Sequence, residues 1–412
     1  MRVDVHGLDQ MLLAGAAILL LAILAVRASL GVGLPSLLIY LAMGIVLGES
    51  VIGISFDDAS TAHALGFAAL VMILTEGGLT TKWSEVRPAM GLGLALATLG
   101  VAVSVGVVAT IAHFALSLDW ELALLVGAVT SPTDAAAVLA VLRRVPLRPS
   151  LLGALEAESG LNDAPTVLLV VLLSSEEGLE HGVLGFFAIV VVELVGGGAF
   201  GIAVGVAGAW ILRRVALPAS GLYPLAVLAF AVLAYAGAAN LHLSGFAAVY
   251  LAALILGNSE LPHRGTTRSF SEGMAWLAQI GLFIMLGLLA SPNTFESEHV
   301  VNGLVIGVLL TLVARPLSVV ACAVPLQVPK QEQVFLALAG LRGAVPIVLA
   351  TIPLSEDVPH ANDLFNMVFV LVVVLTLATG PTLPWLSARL GVTVERARDL
   401  DVEAAPLERI AA

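Results

Sequence analysis

Apolar residues in this chain come in long runs rather than on one face of a soluble helix. Stretches such as Leu12–Val26, Leu92–Ala112 and Phe365–Leu377 are broken only by small or uncharged residues. Their lengths suit the ~20 residues a helix needs to cross a bilayer, and they recur from end to end. The pattern predicts thirteen transmembrane helices over about 9–29, 34–49, 62–80, 89–116, 120–142, 150–174, 182–212, 222–240, 243–257, 270–290, 299–325, 332–354 and 364–388, with boundaries good to ~2–4 residues.

The charged residues between these runs separate into two sets when the connections are taken alternately. One set holds Arg27; Lys82 and Arg87; Arg143, Arg144 and Arg148; Arg213 and Arg214; Arg264 and Arg268; Lys330; and Arg389, Arg396, Arg398 and Arg409. The other holds Glu49, Asp57 and Asp58; Asp119; Glu176, Glu177 and Glu180; Glu296 and Glu298; and Glu356, Asp357 and Asp363. Basic connections stay in the cytoplasm, so the N-terminus is expected outside and the C-terminus inside. A miscount of one span would scramble this separation.

Composition changes the picture only by excluding alternatives. Hydrophobic residues make up 59% and charged residues 12%, with a mean hydropathy of +1.04, which rules out an ordinary water-soluble globule. The single cysteine, Cys322, allows no intrachain disulfide and no cysteine metal cluster. A net charge of −12 disfavours nucleic acid as a partner. Residues 1–30 are read as a first span rather than a cleaved signal, because Arg2 and Asp4 share the leading segment and no small-x-small site follows.

Five charges inside the spans share one depth. Asp134, Glu158, Asp163, Arg315 and Arg342 all fall near mid-bilayer when counted from the loops at ~1.5 Å per helical residue. A charge at that depth costs at least ~2.5 kcal/mol and marks an ion or proton pathway by default. Two spans also look interrupted: the fifth by Ser131-Pro132-Thr133-Asp134, the twelfth by Gly340-Leu341-Arg342-Gly343-Ala344-Val345-Pro346. Paired discontinuous helices point to a secondary-transporter site at an inverted-repeat interface. Spans four to six and eleven to thirteen are the repeat partners, running in opposite directions.

In span six, Ser159 and Asp163 share a helix face with Asn162 beside them, offering the oxygen donors that hard cations prefer. Asp134, freed by the break in span five, adds a carboxylate, and Thr133 a carbonyl. Glu158 lies on the adjacent face, with Arg342 as its expected partner. A buried carboxylate binds a proton or a cation in competition, which is the basis of an exchange mechanism.

Through Ser131-Pro132-Thr133-Asp134, Glu158-Ser159-x-x-Asn162-Asp163 and Gly340-Leu341-Arg342-Gly343-Ala344-Val345-Pro346, the chain resembles the monovalent cation:proton antiporter family, the NhaP-type exchangers of sodium or potassium. Asp134-Ala135-Ala136-Ala137-Val138, Glu76-Gly77-Gly78, Met285-Leu286-Gly287-Leu288-Leu289 and Ala314-Arg315-Pro316-Leu317-Ser318-Val319 lean toward the bacterial potassium branch.

The resemblance implies an all-α polytopic membrane protein of the NhaA/NhaP-like antiporter fold in a bacterial inner membrane. It implies a homodimer in which a transport core, about 89–174 and 299–388, moves against dimerisation helices, about 9–80 and 222–290. A linker helix of about 182–212 and a short tail, 401–412, complete this division. It further implies that Asp163, Asp134, Ser159 and the Thr133 backbone ligate the ion, with Glu158 and Arg342 as an internal ion pair. Asn at position 162 is associated with electroneutral exchange. Many potassium-branch relatives carry a cytosolic domain after the last span, where this chain has a short tail, so its regulation is expected to differ or the chain to have been shortened.

No enzyme activity and no cofactor are expected. Arg315 and Glu76 are supporting candidates: Arg315 at a helix end, the unwound region or the cytoplasmic funnel, Glu76 at the funnel or merely solvated. Glu156 and Glu193 have no matched role. Gly197, Gly201 and Gly205 read as close helix packing, and His242 and His263 as loop residues. Intramembrane proteolysis is disfavoured by Gly160-Leu161-Asn162-Asp163, which lacks the second glycine of an aspartyl site, and by the lack of a mid-span histidine for a serine site. A cation channel using the same carboxylates is the alternative reading. Potassium, sodium and lithium are not distinguished by side-chain identity.

Overall fold

A computed structural model describes residues 5–32, 36–49, 51–134, 137–138, 141–142, 145–175, 182–290 and 295–394. Ala135, Ala136, Arg143, Arg144, the Glu176, Glu177 and Glu180 loop and the 401–412 tail with Arg396, Arg398 and Arg409 before and within it lie outside the described residues, as does the side chain of Arg27.

The helices are α1 (Val5–Val32), α2 (Ser36–Leu47), α3 (Ala59–Thr80), α4 (Trp83–Leu116), α5 (Trp120–Thr130), α6 (Pro149–Ser174) and α7 (Gly182–Arg214). They continue as α8 (Leu222–Asn240), α9 (Gly245–Asn258), α10 (Arg264–Leu289), α11 (Ser297–Ala323), α12 (Lys330–Leu338), α13 (Ala344–Ser355) and α14 (Ala361–Leu390). Among the described residues, eight helices are long and apolar enough to cross a membrane, and α2, α5, α9 and α13 are shorter apolar helices. Only isolated bridges, not strands, accompany them among these residues.

The loop contacts respect the two charge sets. On the basic side, Arg148 Nη1 meets Glu332 at 3.2 Å, Asn258 Nδ2 donates to the Thr81 carbonyl at 2.9 Å, and the Val394 N–H donates to the Pro146 carbonyl at 2.9 Å. On the acidic side, His299 Nε2 lies 3.0 Å from Asp363, tying the starts of α11 and α14. Asp58 caps α3 there; hydrogen bonds from the Thr61 side chain and backbone and from Ser60 hold its carboxyl down to about 2, so it is ionised at any physiological pH.

Helix packing forms two groups. In one, α3 packs on α9 and α10, α2 on α10, and α7 and α8 on α9. Gly197, Gly201 and Gly205 of α7 let its backbone close on Ser244, Ala248 and Ala252, as small residues in a row permit. In the other group, α4 packs on α5 and α6, α11 and α13 on α14, and α5 on α6. The groups meet where α3 touches α13 and where α9 touches α6.

Two irregularities sit at matching places. A π-helical segment, Leu96–Gly100, interrupts α4, and another, Leu310–Ala314, interrupts α11. Pro316 explains the second, since it has no N–H for the preceding turn. The segment after it packs onto the first: Cys322 Sγ donates to the Ala95 carbonyl at 3.2 Å.

Candidate ion-binding site

Helix α5 ends at Thr130, and Ser131–Asp134 continue as non-helical chain. Gly340–Gly343 likewise separate α12 from α13. These two unwound stretches cross, and they are stitched together by the backbone: the Asp134 N–H donates to the Leu341 carbonyl at 2.9 Å. Arg342 completes the stitch. It is 1% exposed, and its Nη1 donates to the carbonyls of Ser131 and, at 2.6 Å, Pro132. The buried guanidinium thus gives these two carbonyls a donor at the point where the helix is interrupted. Thr376 of α14 holds Arg342 in turn, donating to its carbonyl at 3.0 Å.

The expected ion pair is corrected here. Glu158 does not pair with Arg342; its carboxylate accepts from Arg315 Nη1 at 2.5 Å and Nη2 at 2.8 Å. Both partners are buried, and the fork-on-carboxylate geometry suits a guanidinium on a helix rather than one spent on backbone carbonyls. Thr133 adds a third donor, its hydroxyl reaching Glu158 Oε1 at 3.1 Å.

Asn162 has a bracing contact besides: its Nδ2 donates to Thr133 Oγ1 at 2.8 Å and lies 3.4 Å from the Thr133 carbonyl, while its Oδ1 has no hydrogen-bond partner among the described residues. Thr133, Asp134, Ser159 and Asp163 line one cavity of about 340 Å3. Asp163 is buried, one of its carboxylate oxygens has no hydrogen-bond partner among the described residues, and Asp134 is near enough for their charges to repel. Asp134 Oδ1 caps the second half of the broken span, accepting from the Ala137 N–H at 3.0 Å.

The cavity runs toward the basic side, past Glu76, Thr80 and Thr81 at the end of α3 and Glu156 near the start of α6. On the other side Gly66 of α3 lies against Val348 of α13, within a continuous buried apolar cluster. Sequence reasoning did not pick out Tyr250, Gln279 or Phe283, which wall the cavity from α9 and α10. Gln279 carried a signal, an amide inside the run Trp276–Phe283. Glu193 stays away from the site: its carbonyl accepts from the Ser244 N–H.

Residues 16–389 match the family described as sodium/hydrogen exchanger, transmembrane. The chain belongs to that family. It is 36% identical over 387 residues to the K(+)/H(+) antiporter NhaP2 of Shewanella sp. (strain MR-4), covering 92% of this chain and 67% of the relative. It is 35% identical over 418 residues to the K(+)/H(+) antiporter NhaP of Alkalimonas amylolytica, covering 98% of this chain and 71% of the relative. Among solved structures, the sodium proton antiporter MjNhaP1 of Methanocaldococcus jannaschii matches with a TM-score of 0.75 at 22% identity, covering 93% of this chain and 99% of that one. The exchanger fold therefore accounts for nearly the whole chain.

One exchanger-site position is sensitive to a single carbon. A Cβ on Gly343 would fall on the Asp134 carboxylate, which would have to move. Gly343→Ala is expected to displace Asp134 and to cost about 1–3 kcal/mol of overpacking. A thermal melt in detergent checks the cost, and the loss of cation-induced stabilisation checks the displacement.

Proposed function

We propose that this chain exchanges protons for monovalent cations, K+ or Na+, by alternating access across a bacterial inner membrane, with Asp163 binding either ion competitively and Asp134, Ser159 and the Thr133 backbone supporting it. The observation that carries this reading is the charge count at the crossing. Two buried carboxylates, Glu158 and Asp163, and the half-buried carboxylate of Asp134 stand with two buried guanidiniums, Arg315 and Arg342. One negative charge is left over, and one proton or one monovalent cation cancels it. A carrier that crosses only when this charge is cancelled couples the two flows one for one and moves no net charge.

The cavity open to one side and closed at the α3–α13 contact supports a carrier over a channel, which needs a continuous path. The relatives' names favour potassium as the first cation to test, and Glu76 and Glu156 would concentrate cations at the mouth. In the same reading, the α3–α9–α10 group is the fixed, dimer-forming part and the crossing group moves. The thirteen crossings count the broken span from Trp120 as one and α12 with α13 as one. The N-terminus lies outside and the basic connections in the cytoplasm. The chain carries out no bond chemistry in this scheme.

Reconstituted vesicles test it. An imposed K+ or Na+ gradient is expected to drive proton movement, read by a pH dye, at the same rate whether or not the membrane potential is clamped. A current that flows without counter-movement of protons would overturn the carrier reading. Running K+, Na+ and Li+ side by side assigns the cation.

A further inference from the structure

Tyr250 of α9 is the side chain through which the two helix groups meet at the ion site. It is 3% exposed and lines the cavity. Its ring rests on Gly160 of α6, directly between Ser159 and Asp163 in sequence, so closely that a Cβ at position 160 would overlap the ring and the hydroxyl. The hydroxyl lies beside the Thr81 side chain, whose own hydroxyl donates to the Gly77 carbonyl at 2.7 Å, and in the field of Glu156. Lys82 and Glu85 also face Glu156 from the basic-side connection.

The row on α6 that passes beneath Tyr250 has a meaningful sequence. Residues four apart stack on one helix face, so Glu156, Gly160 and Ala164 form a single line. The phenol now occupies the one position on that line with no side chain. Glu156 is the next position toward the basic side, half-buried and without a role in the ion site itself.

We propose that Tyr250 is the positioning residue that sets the register between the moving and fixed groups, seated on Gly160 in the state described here and hydrogen-bonded to Glu156 in the opposite-facing state. The inference rests on the exchange reading above. Helix α6 runs from the basic side at Arg148 to the acidic side at Ser174. Sliding the crossing group toward the acidic side by one turn, ~5.4 Å, removes Gly160 from beneath the ring and brings up Glu156. The phenol then donates to a carboxylate instead of lying beside Thr81, and it stands across the mouth that Thr80, Thr81 and Glu156 now leave open. Each of the two seats has its own contact, so the movement has two defined stops rather than a continuum.

The test is a set of variants in vesicles, with a detergent melt and its shift on adding KCl or NaCl measured alongside. Gly160→Ala is expected to slow exchange about tenfold or more, because the row cannot slip past the ring. Adding Tyr250→Ala to it is expected to restore exchange, with the cation shift of both variants near that of the unmodified chain and the melt read alongside to register the overpacking of Gly160→Ala. Gly160→Ala at the unmodified rate, or no recovery in the double variant, overturns the proposal. Tyr250→Phe and Glu156→Gln are each expected to slow exchange by roughly threefold, with the double variant no slower than either, as two partners of one hydrogen bond behave; additive effects overturn the second stop.

A cross-link decides the matter even where Gly160→Ala lowers the melt. With Cys322→Ser as background, Glu156→Cys with Tyr250→Cys is expected to join under mild oxidant during turnover and to arrest exchange until reductant is added. No cross-link under turnover overturns the second stop. An unmodified chain that exchanges no cation for protons would instead overturn the exchange reading, a result distinct from an active chain whose variants match it.

Discussion

Asp163→Asn is expected to abolish exchange while leaving the protein folded. Asparagine has the shape of aspartate, so the packing of α6 against the unwound chain is kept, and the amide is far cheaper to bury than an ion. What disappears is the surplus negative charge at the crossing. With Glu158 and Asp134 balanced by Arg315 and Arg342, the site needs neither proton nor cation, and nothing drives either to bind. Exchange in vesicles should fall by at least ~100-fold, the effect of losing ~2.7 kcal/mol of coupled binding. A detergent melt should stay within a few degrees of the unmodified chain but lose its dependence on added cation. Full exchange by this variant would remove Asp163 from the mechanism.

Arg315→Ala and Glu158→Ala should fail in the opposite way, through stability first. The pair is buried on both sides and joined by two hydrogen bonds, so removing one partner strands the other in a low-dielectric interior. Such a loss costs about 3–5 kcal/mol, against about 0–1 kcal/mol for an exposed pair. Thermal unfolding in detergent should therefore begin well below that of the unmodified chain. Arg315→Lys should recover only part of the loss, since an ammonium cannot reproduce the two parallel bonds of the guanidinium. Melts unchanged in both alanine variants would show that the pair is not the brace described here.

The contrast between Arg315 and Arg342 also shows what a linear sequence conveys. Hydropathy and loop charge placed both arginines, Glu158, Asp134 and Asp163 at one depth, because depth depends only on counting residues from the membrane edge. Rotation about the helix axis is another matter. The π segment Leu310–Ala314 lies immediately before Arg315, and one extra residue in a turn rotates everything after it by roughly 100°. Arg315 thus faces Glu158 although uninterrupted periodicity gives no reason to expect it. Arg342 lies in a stretch with no helical periodicity at all, and the carbonyls that it serves lie where the other broken span is interrupted.

The same limit explains the walls of the cavity. Asp134, Asp163 and Ser159 were legible because charge or a hydroxyl beside it stands out within apolar runs. Tyr250 and Phe283 look like ordinary membrane residues, and only the approach of α9 to α6 and of α10 to α13 brings them to the wall of the cavity. Asn162 was legible as a polar group at the right depth but not as a brace, since its amide acquires that role from the local path of Thr133.

The stitch between the unwound chains has a thermodynamic consequence. Because the Asp134 N–H, the Leu341 carbonyl and the Arg342 guanidinium lock the two interrupted spans to each other, the proposed movement of the crossing group would carry the oxygens around Asp163 as one body with their spacing kept. A site that keeps its geometry keeps its affinity, so the two faces of the membrane present the same competition between proton and cation. The machine then has no built-in forward direction. It runs whichever way the ratio of the proton gradient to the cation gradient points, as a valve rather than a pump with a preferred stroke.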